Sequence, residues 1–159
     1  IRDLVRSRGL GDVYKRQDQP DASHNIMFYQ IEGLAVGRNI RMGDLFGAIT
    51  GLARLLFGGD AQLRFRGHYF PFTEPSIETD LRCTVCGGAG CRLCKESGWV
   101  EVIPGGMVHP TVLRNGGIDP TRYTGFAFGA GVDRIAALWY RVPDIRMLYE
   151  NDVRFLEQF

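Results

Sequence analysis

Between residues 28 and 159 the hydrophobic and polar positions follow two periods, one of two residues and one near 3.6, which predict strands interleaved with helices. In FYQIEGLAV (28–36), Phe28, Gln30 and Glu32 project to one face and Tyr29 and Ile31 to the other, so a strand is expected with two polar groups side by side. Leu45, Ile49, Leu52 and Leu56 then recur at helical spacing, with Asp44 expected as the N-cap and Gly58 and Gly59 as the stop. That helix is expected to cover a sheet. QLRFR (62–66) alternates again, and IETDLR and WVEVI read as paired strands connected by the cysteine-rich loop between them. GFAF (125–128) reads as a buried strand running into Gly129 and Gly131, after which a helix is expected to bury Val132, Ile135, Ala136 and Trp139. The last stretch is expected to be helical around Phe155 and Leu156. Strands joined by hairpins, with helices laid on one side, imply an α+β antiparallel architecture and not a doubly wound parallel sheet.

Residues 1–17 (IRDLVRSRGLGDVYKRQ) break this order, being rich in Arg and Gly and without a period. SRGLGDVYKRQ resembles a translated sequencing-adaptor read-through, so residues 1–17 are expected to be foreign and residues 18–159 to form the domain. A genuine strand around Val13 and Tyr14 is the alternative. The first methionine is Met27, which implies a natural start upstream and a chain that is a fragment. A length of 159 residues with 45% hydrophobic residues suits one buried core. Nineteen Lys and Arg against eighteen Asp and Glu leave a net charge of +1, so any RNA contact has to be local. With no apolar run of about 18 residues and no signal-peptide pattern, a cytoplasmic, non-membrane protein is expected.

All four cysteines, Cys83, Cys86, Cys91 and Cys94, stand as C-x2-C-x4-C-x2-C. A cytosolic chain with this apolar content does not need disulfide staples, and two CxxC pairs offer four thiolates to one tetrahedral zinc. Gly87, Gly88 and Gly90 let the loop turn back so that the second pair faces the first. A structural zinc knuckle at residues 83–94, at the tip of a hairpin, is the expectation; a redox dithiol or unligated thiols in a loop are the alternatives. Nothing in the sequence asks for the electron transfer that an iron–sulfur site would serve.

Other residues carry chemistry with two readings each. Arg134 sits in the first turn of a helix after Gly129 and Gly131, where a guanidinium can meet phosphate in a forked geometry or simply face solvent. Gln30 and Glu32 can hydrogen-bond an ammonium group, or be solvated on an edge strand. Phe70 and Phe72 flank Pro71 and share a face, a spacing usual in cores.

FYQIEGL, YFPFTEPS, GGMVHPTVL, GIDPTRYTGFAFGAGVDRIAAL and DIRMLYENDVRFLEQF, in this order over residues 18–159, resemble the C-terminal part of the catalytic α subunit of bacterial phenylalanyl-tRNA synthetases, which are class II aminoacyl-tRNA synthetases. The resemblance implies a class II antiparallel sheet flanked by helices, ATP-dependent formation of phenylalanyl-adenylate with Mg²⁺, and transfer to tRNA(Phe) in an α2β2 assembly with a β subunit. GAGVDR (129–134) resembles the third motif of the class. By the resemblance Arg134, with Gly129 and Gly131 before it, serves ATP; Gln30 and Glu32 hold the amino end of phenylalanine; Phe70, Phe72 and Ala127 surround its ring; His24 is read as an ATP-loop contact. Arg16 falls near an ATP-binding arginine of the family's second motif, while the first motif and the coiled-coil arm are missing. The cysteine pairs are absent from some members, so the zinc is expected to stand apart from the reaction. Glu74, Glu78 and Glu150 are ambiguous as Mg²⁺ ligands, and His68 and His109 read as structural. Two further readings are a related class II synthetase with another amino acid pocket, against which FAFG speaks, and a non-catalytic zinc-bearing homologue that binds RNA or protein. The joint presence of Arg134, Gln30 and Glu32 argues against the latter.

Overall fold

The computed structural model describes residues 21–24 and 27–159, so the expectations for residues 1–17, Arg16 included, lie outside the described residues. Six strands form one antiparallel sheet among them: β1 (Gln30–Gly37), β2 (Leu63–Phe70), β3 (Thr73–Arg82), β4 (Trp99–Glu101), β5 (Gly105–Val108) and β6 (Thr124–Gly131). Their order is β1-β6-β5-β3-β2, with β4 also paired to β3. Helix α1 (Met42–Phe57) packs on β5 and β6, and α2 (Pro110–Asn115), α3 (Val132–Trp139) and α4 (Val153–Leu156) complete the frame. The α+β antiparallel expectation is met, and the cysteine loop does join β3 to its antiparallel neighbour β4.

The register gives the sheet two unlike faces. Alternation along β3 and β6 sends Ile77, Leu81, Phe126 and Ala130 toward α1, whose Leu45 and Ile49 are fully buried against them. Each of these side chains except the small Ala130 stabilises by roughly 1.5–3 kcal/mol. Phe46 meets Phe65 edge to face at 4.7 Å on the same side. The opposite face carries Gln30 and Glu32 on β1 and, across the pairs Glu32↔Gly129, Leu34↔Ala127, Ala127↔Gly106 and Gly106↔Ser76, continues to Glu78 and Asp80. On that opposite face Gln30 and Glu32 are exposed, whereas Ser76 and Asp80 are buried.

Two local expectations are corrected. Arg41, not Asp44, is the N-cap of α1; Asp44 occupies the third helical position and its carboxylate accepts the Arg41 N–H at 2.7 Å, half of a capping box. Helix α3 buries Asp133, Ala137 and Leu138, whereas Trp139 is half exposed and Val132, Ile135 and Ala136 are only partly covered. The cause is polar: the buried Asp133 carboxylate accepts the backbone N–H of Tyr29 at 2.9 Å and the hydroxyl of Tyr149, which turns that side of the helix inward. Burial together with the adjacent carboxylate raises the Tyr149 pKa to about 12.

Candidate active site

Where β6 runs directly into α3, the open face of the sheet carries a cavity of about 180 Å³. Its wall includes Ser23, His24, Phe28, Glu101, Gly131 and Arg134. The Arg134 guanidinium is aimed by three groups: Nε donates to the Ser23 carbonyl at 3.3 Å, Nη1 to the Glu101 carbonyl at 3.1 Å, and Nη2 lies 2.7 Å from His24 Nε2. The Glu101 carboxylate stands 3.5 Å from Nη1. A guanidinium fixed at the start of a helix, beside a glycine strand end, is suited to bind a phosphate anion.

A second cavity of about 220 Å³ adjoins the first, with Gln30, Pro104 and Gly129 in the walls of both. Gln30 donates to Glu32 at 2.5 Å, which joins the two polar side chains that alternation places on one face. Gly129 lies opposite Glu32, and a Cβ there would overlap the Gln30 amide, so the glycine makes room for the pair. Phe70 and Phe72, at the tight β2–β3 connection, stack at 5.7 Å between ring centroids and 13° between planes. With Ala127, Phe128, Thr73 and Gly105 they form an apolar end opposite the carboxylate. The arrangement offers an ammonium site at one end and an aromatic slot at the other.

Arg134, His24, Gly129 and Gly131 thus converge on one cavity, and Gln30, Glu32, Phe70, Phe72 and Ala127 on its neighbour. Glu101, Pro104, Thr73 and Phe128 belong to these walls and were not singled out from the sequence. The alternation of WVEVI puts Glu101 opposite Asp80 and was the one available signal for it. Glu78 is occupied structurally, 2.8 Å from Arg66 and 3.1 Å from His68. The buried Asp80 receives both Arg64 (2.6 Å) and Arg66 (2.7 Å); burial alone would raise its pKa, but the two guanidiniums hold it below the ordinary carboxylate range. His109 caps α2, accepting from the Thr111 N–H at 3.2 Å.

The four cysteine sulfurs lie within 4.8 Å of one another. Three Sγ pairs are separated by 3.6–3.8 Å, far beyond a disulfide bond. A tetrahedron of sulfurs at about 2.3 Å from zinc has an edge of about 3.8 Å, so the donor set fits that ion. Gly87, Gly88 and Gly90 all have positive φ (60°, 87° and 105°), as the tight return of the loop requires. Burial pushes the Cys83 thiol up to about 12; at Cys86 burial also pulls upward, but the N–H groups of Gly90 and Gly88 and the neighbouring thiols outweigh it and bring it to about 7.

The loop touches the turn that lines the first cavity. Lys95, next to Cys94, reaches Asp21 at 3.0 Å, and Asp21 lies 3.0 Å from His24. Burial acts to raise the Asp21 pKa, yet the Lys95 ammonium, Ser23 and His24 hold the carboxyl well below its usual range. The contact is tertiary, between positions more than 70 residues apart, and leaves no trace in local spacing.

An antiparallel sheet flanked by helices fits the core of a class II tRNA synthetase. The family model described as "tRNA synthetases class II core domain (F)" matches residues 5–159, and the chain belongs to that family. Its relatives include the phenylalanine–tRNA ligase alpha subunits of Lachnoclostridium phytofermentans, 56% identical over 98% of this chain and 45% of the relative, and of Enterococcus faecalis, 56% identical over 98% and 44%. That of Heliobacterium modesticaldum is 56% identical over 94% of this chain and 43% of the relative. The chain spans a little under half the length of these curated relatives. No helix among the described residues is long and apolar enough to cross a membrane.

Proposed function

We propose that this chain is the substrate-binding part of the catalytic α subunit of a phenylalanine–tRNA ligase. It binds ATP and phenylalanine, forms phenylalanyl-adenylate with release of pyrophosphate, and passes the phenylalanyl group to tRNA(Phe). The observation that carries this reading is the meeting of the two cavities at Gln30, Pro104 and Gly129. An amino acid whose ammonium is held by Glu32 and Gln30 and whose ring lies against Phe70, Phe72 and Ala127 can turn its carboxylate toward a phosphate held by Arg134. Attack of a carboxylate oxygen on the α-phosphate then needs no protein nucleophile. The protein's work is positioning and neutralisation of charge, chiefly by Arg134 with His24 beside it and Gly129 and Gly131 allowing close approach.

Mg²⁺ would neutralise and orient the ATP phosphates. Glu101 is the carboxylate suited to approach it: among the acids described, Asp133 is taken up by Tyr29 and Tyr149 and Asp80 by two arginines, whereas Glu101 lines the cavity with a single long pairing to Arg134. Zn²⁺ would be held by Cys83, Cys86, Cys91 and Cys94 as a closed structural site. In this reading the enzyme is an α2β2 assembly with a β subunit, acting in the cytoplasm; the relatives' name as an alpha subunit supports the partner subunit alone. The identities to the named relatives favour this reading over a class II enzyme for another amino acid or a non-catalytic homologue.

The test is Arg134→Ala in the full-length α subunit assembled with its β subunit. Phenylalanine-dependent exchange of pyrophosphate into ATP should fall ~10²-fold or more, as expected for one charge-stabilising donor. An unchanged rate would return Arg134 to a structural role. Absence of exchange in the unsubstituted enzyme would overturn the function itself.

A further inference from the structure

The cysteine knuckle reaches the proposed ATP cavity by two routes. Its exit strand β4 ends at Glu101, whose carbonyl receives Arg134 Nη1. The other route starts at Lys95, whose backbone is locked into the knuckle. Lys95 and Glu96 both have positive φ (50° and 61°), a conformation that L residues adopt only when their surroundings impose it. Here the knuckle imposes it: Lys95 N–H donates to the Arg92 carbonyl, Glu96 N–H to that of Cys91, and Ser97 N–H to that of Cys94. From this anchored point the Lys95 ammonium extends to Asp21 Oδ2 at 3.0 Å.

Asp21 Oδ1 in turn accepts the Ser23 N–H at 2.7 Å and the Ser23 hydroxyl at 2.8 Å, and lies 3.0 Å from His24 Nδ1. A carboxylate at Nδ1 selects the tautomer that carries its proton there, which leaves the Nε2 lone pair to accept from Arg134 Nη2 at 2.7 Å. The same turn supplies the Ser23 carbonyl to Arg134 Nε. The turn is also tethered by the Ile145 N–H on the Ala22 carbonyl. Two of the groups that aim the guanidinium therefore sit on a turn tied to the knuckle through Lys95.

We infer that Lys95 is a positioning residue for ATP, linking the metal-filled cysteine knuckle to Arg134 through Asp21 and His24. The inference rests on the proposed reading of Arg134 as the ATP arginine. The metal then tunes nucleotide affinity while contributing no ligand to the substrate. Phenylalanine, bound beyond Gln30 on the other side of the shared wall, is unaffected.

The test uses the full-length α subunit with its β subunit, and reads ATP binding by calorimetry, zinc content by metal analysis, and the KM for phenylalanine. Lys95→Ala should keep its zinc, weaken ATP about threefold to fivefold, as suits a half-exposed ion pair, and leave the phenylalanine KM unchanged. Lys95→Arg should restore ATP affinity to within about twofold, since it keeps the charge. Because the relay passes through His24, Lys95→Ala should weaken ATP much less in a His24→Ala background than alone. Removal of zinc by a chelator should weaken ATP at least as much as Lys95→Ala does. Unchanged ATP affinity in zinc-loaded Lys95→Ala, equal weakening of phenylalanine, or full additivity with His24→Ala would each overturn the inference. An unsubstituted enzyme that binds ATP with this Lys95 dependence but does not activate phenylalanine would overturn the proposed function and uphold the relay.

Discussion

Replacing Glu32 by Gln isolates the charge of the proposed ammonium site from its shape. Glu32 accepts the Gln30 amide through Oε1 at 2.5 Å, which leaves Oε2 to meet the substrate. A hydrogen bond to a charged group contributes about 1.5–3 kcal/mol and a neutral one about 0.5–1.5, so the substitution removes roughly 1–1.5 kcal/mol. Glu32 is exposed in the unliganded protein, and its desolvation on binding places the loss toward the lower end of that range. At about 1.4 kcal/mol per factor of ten, a loss of about 1 kcal/mol should raise the KM for phenylalanine in pyrophosphate exchange about fivefold. Glu32 is absent from the wall of the neighbouring cavity, so the KM for ATP should stay within about twofold of its original value. Inhibition by 3-phenylpropanoate, which has the ring and carboxylate but no ammonium, should be equally unaffected. A parallel rise in the KM for ATP, or equal weakening of the amine-free inhibitor, would show that Glu32 supports the fold of the pocket and does not bind the amino group.

Ala127→Gly should deepen the apolar end of the second cavity and raise the kcat/KM of para-chlorophenylalanine relative to phenylalanine about tenfold; equal losses for both would assign Ala127 to strand packing. Thr79 is fully buried with no hydrogen-bond partner for its hydroxyl among the described residues, so Thr79→Val should stabilise by about 1 kcal/mol and raise Tm by roughly 2–4 °C, and a lower Tm would refute the reasoning. Asp80 has a pKa lowered by Arg64 and Arg66, so its contribution is present above the unfolded carboxylate pKa of about 4 and is lost as pH falls through the lower folded value. Denaturant unfolding should therefore find wild type about 2 kcal/mol more stable than Asp80→Asn at neutral pH, with the gap closing below about pH 4; a gap independent of pH would exclude the ionic account.

Periodicity in the chain was enough to recover the strand at 30–37, the helix over Leu45 and Ile49, the strand at Thr124–Gly131 and the hairpin around the cysteines, because these depend on neighbours within a few positions. The pairing of Gln30 with Glu32 and the proximity of the four thiols are local for the same reason. The inward side of the helix from Val132 was not legible. A hydrophobic count treats Asp133 as a surface residue, and its burial depends on Tyr29 and Tyr149, which reach it from other elements. Sheet order was likewise undetermined, yet it brings β1 beside β6 and so places Gln30 and Glu32 next to Gly129, where the two cavities meet. The link from Lys95 through Asp21 and His24 to Arg134 is the extreme case: four residues from three separate stretches, each unremarkable in its own surroundings. Local repeats follow from backbone geometry and can be read in one dimension, whereas register, buried charge and contacts across the sheet are chosen by the packing of the whole domain and become visible only in three dimensions.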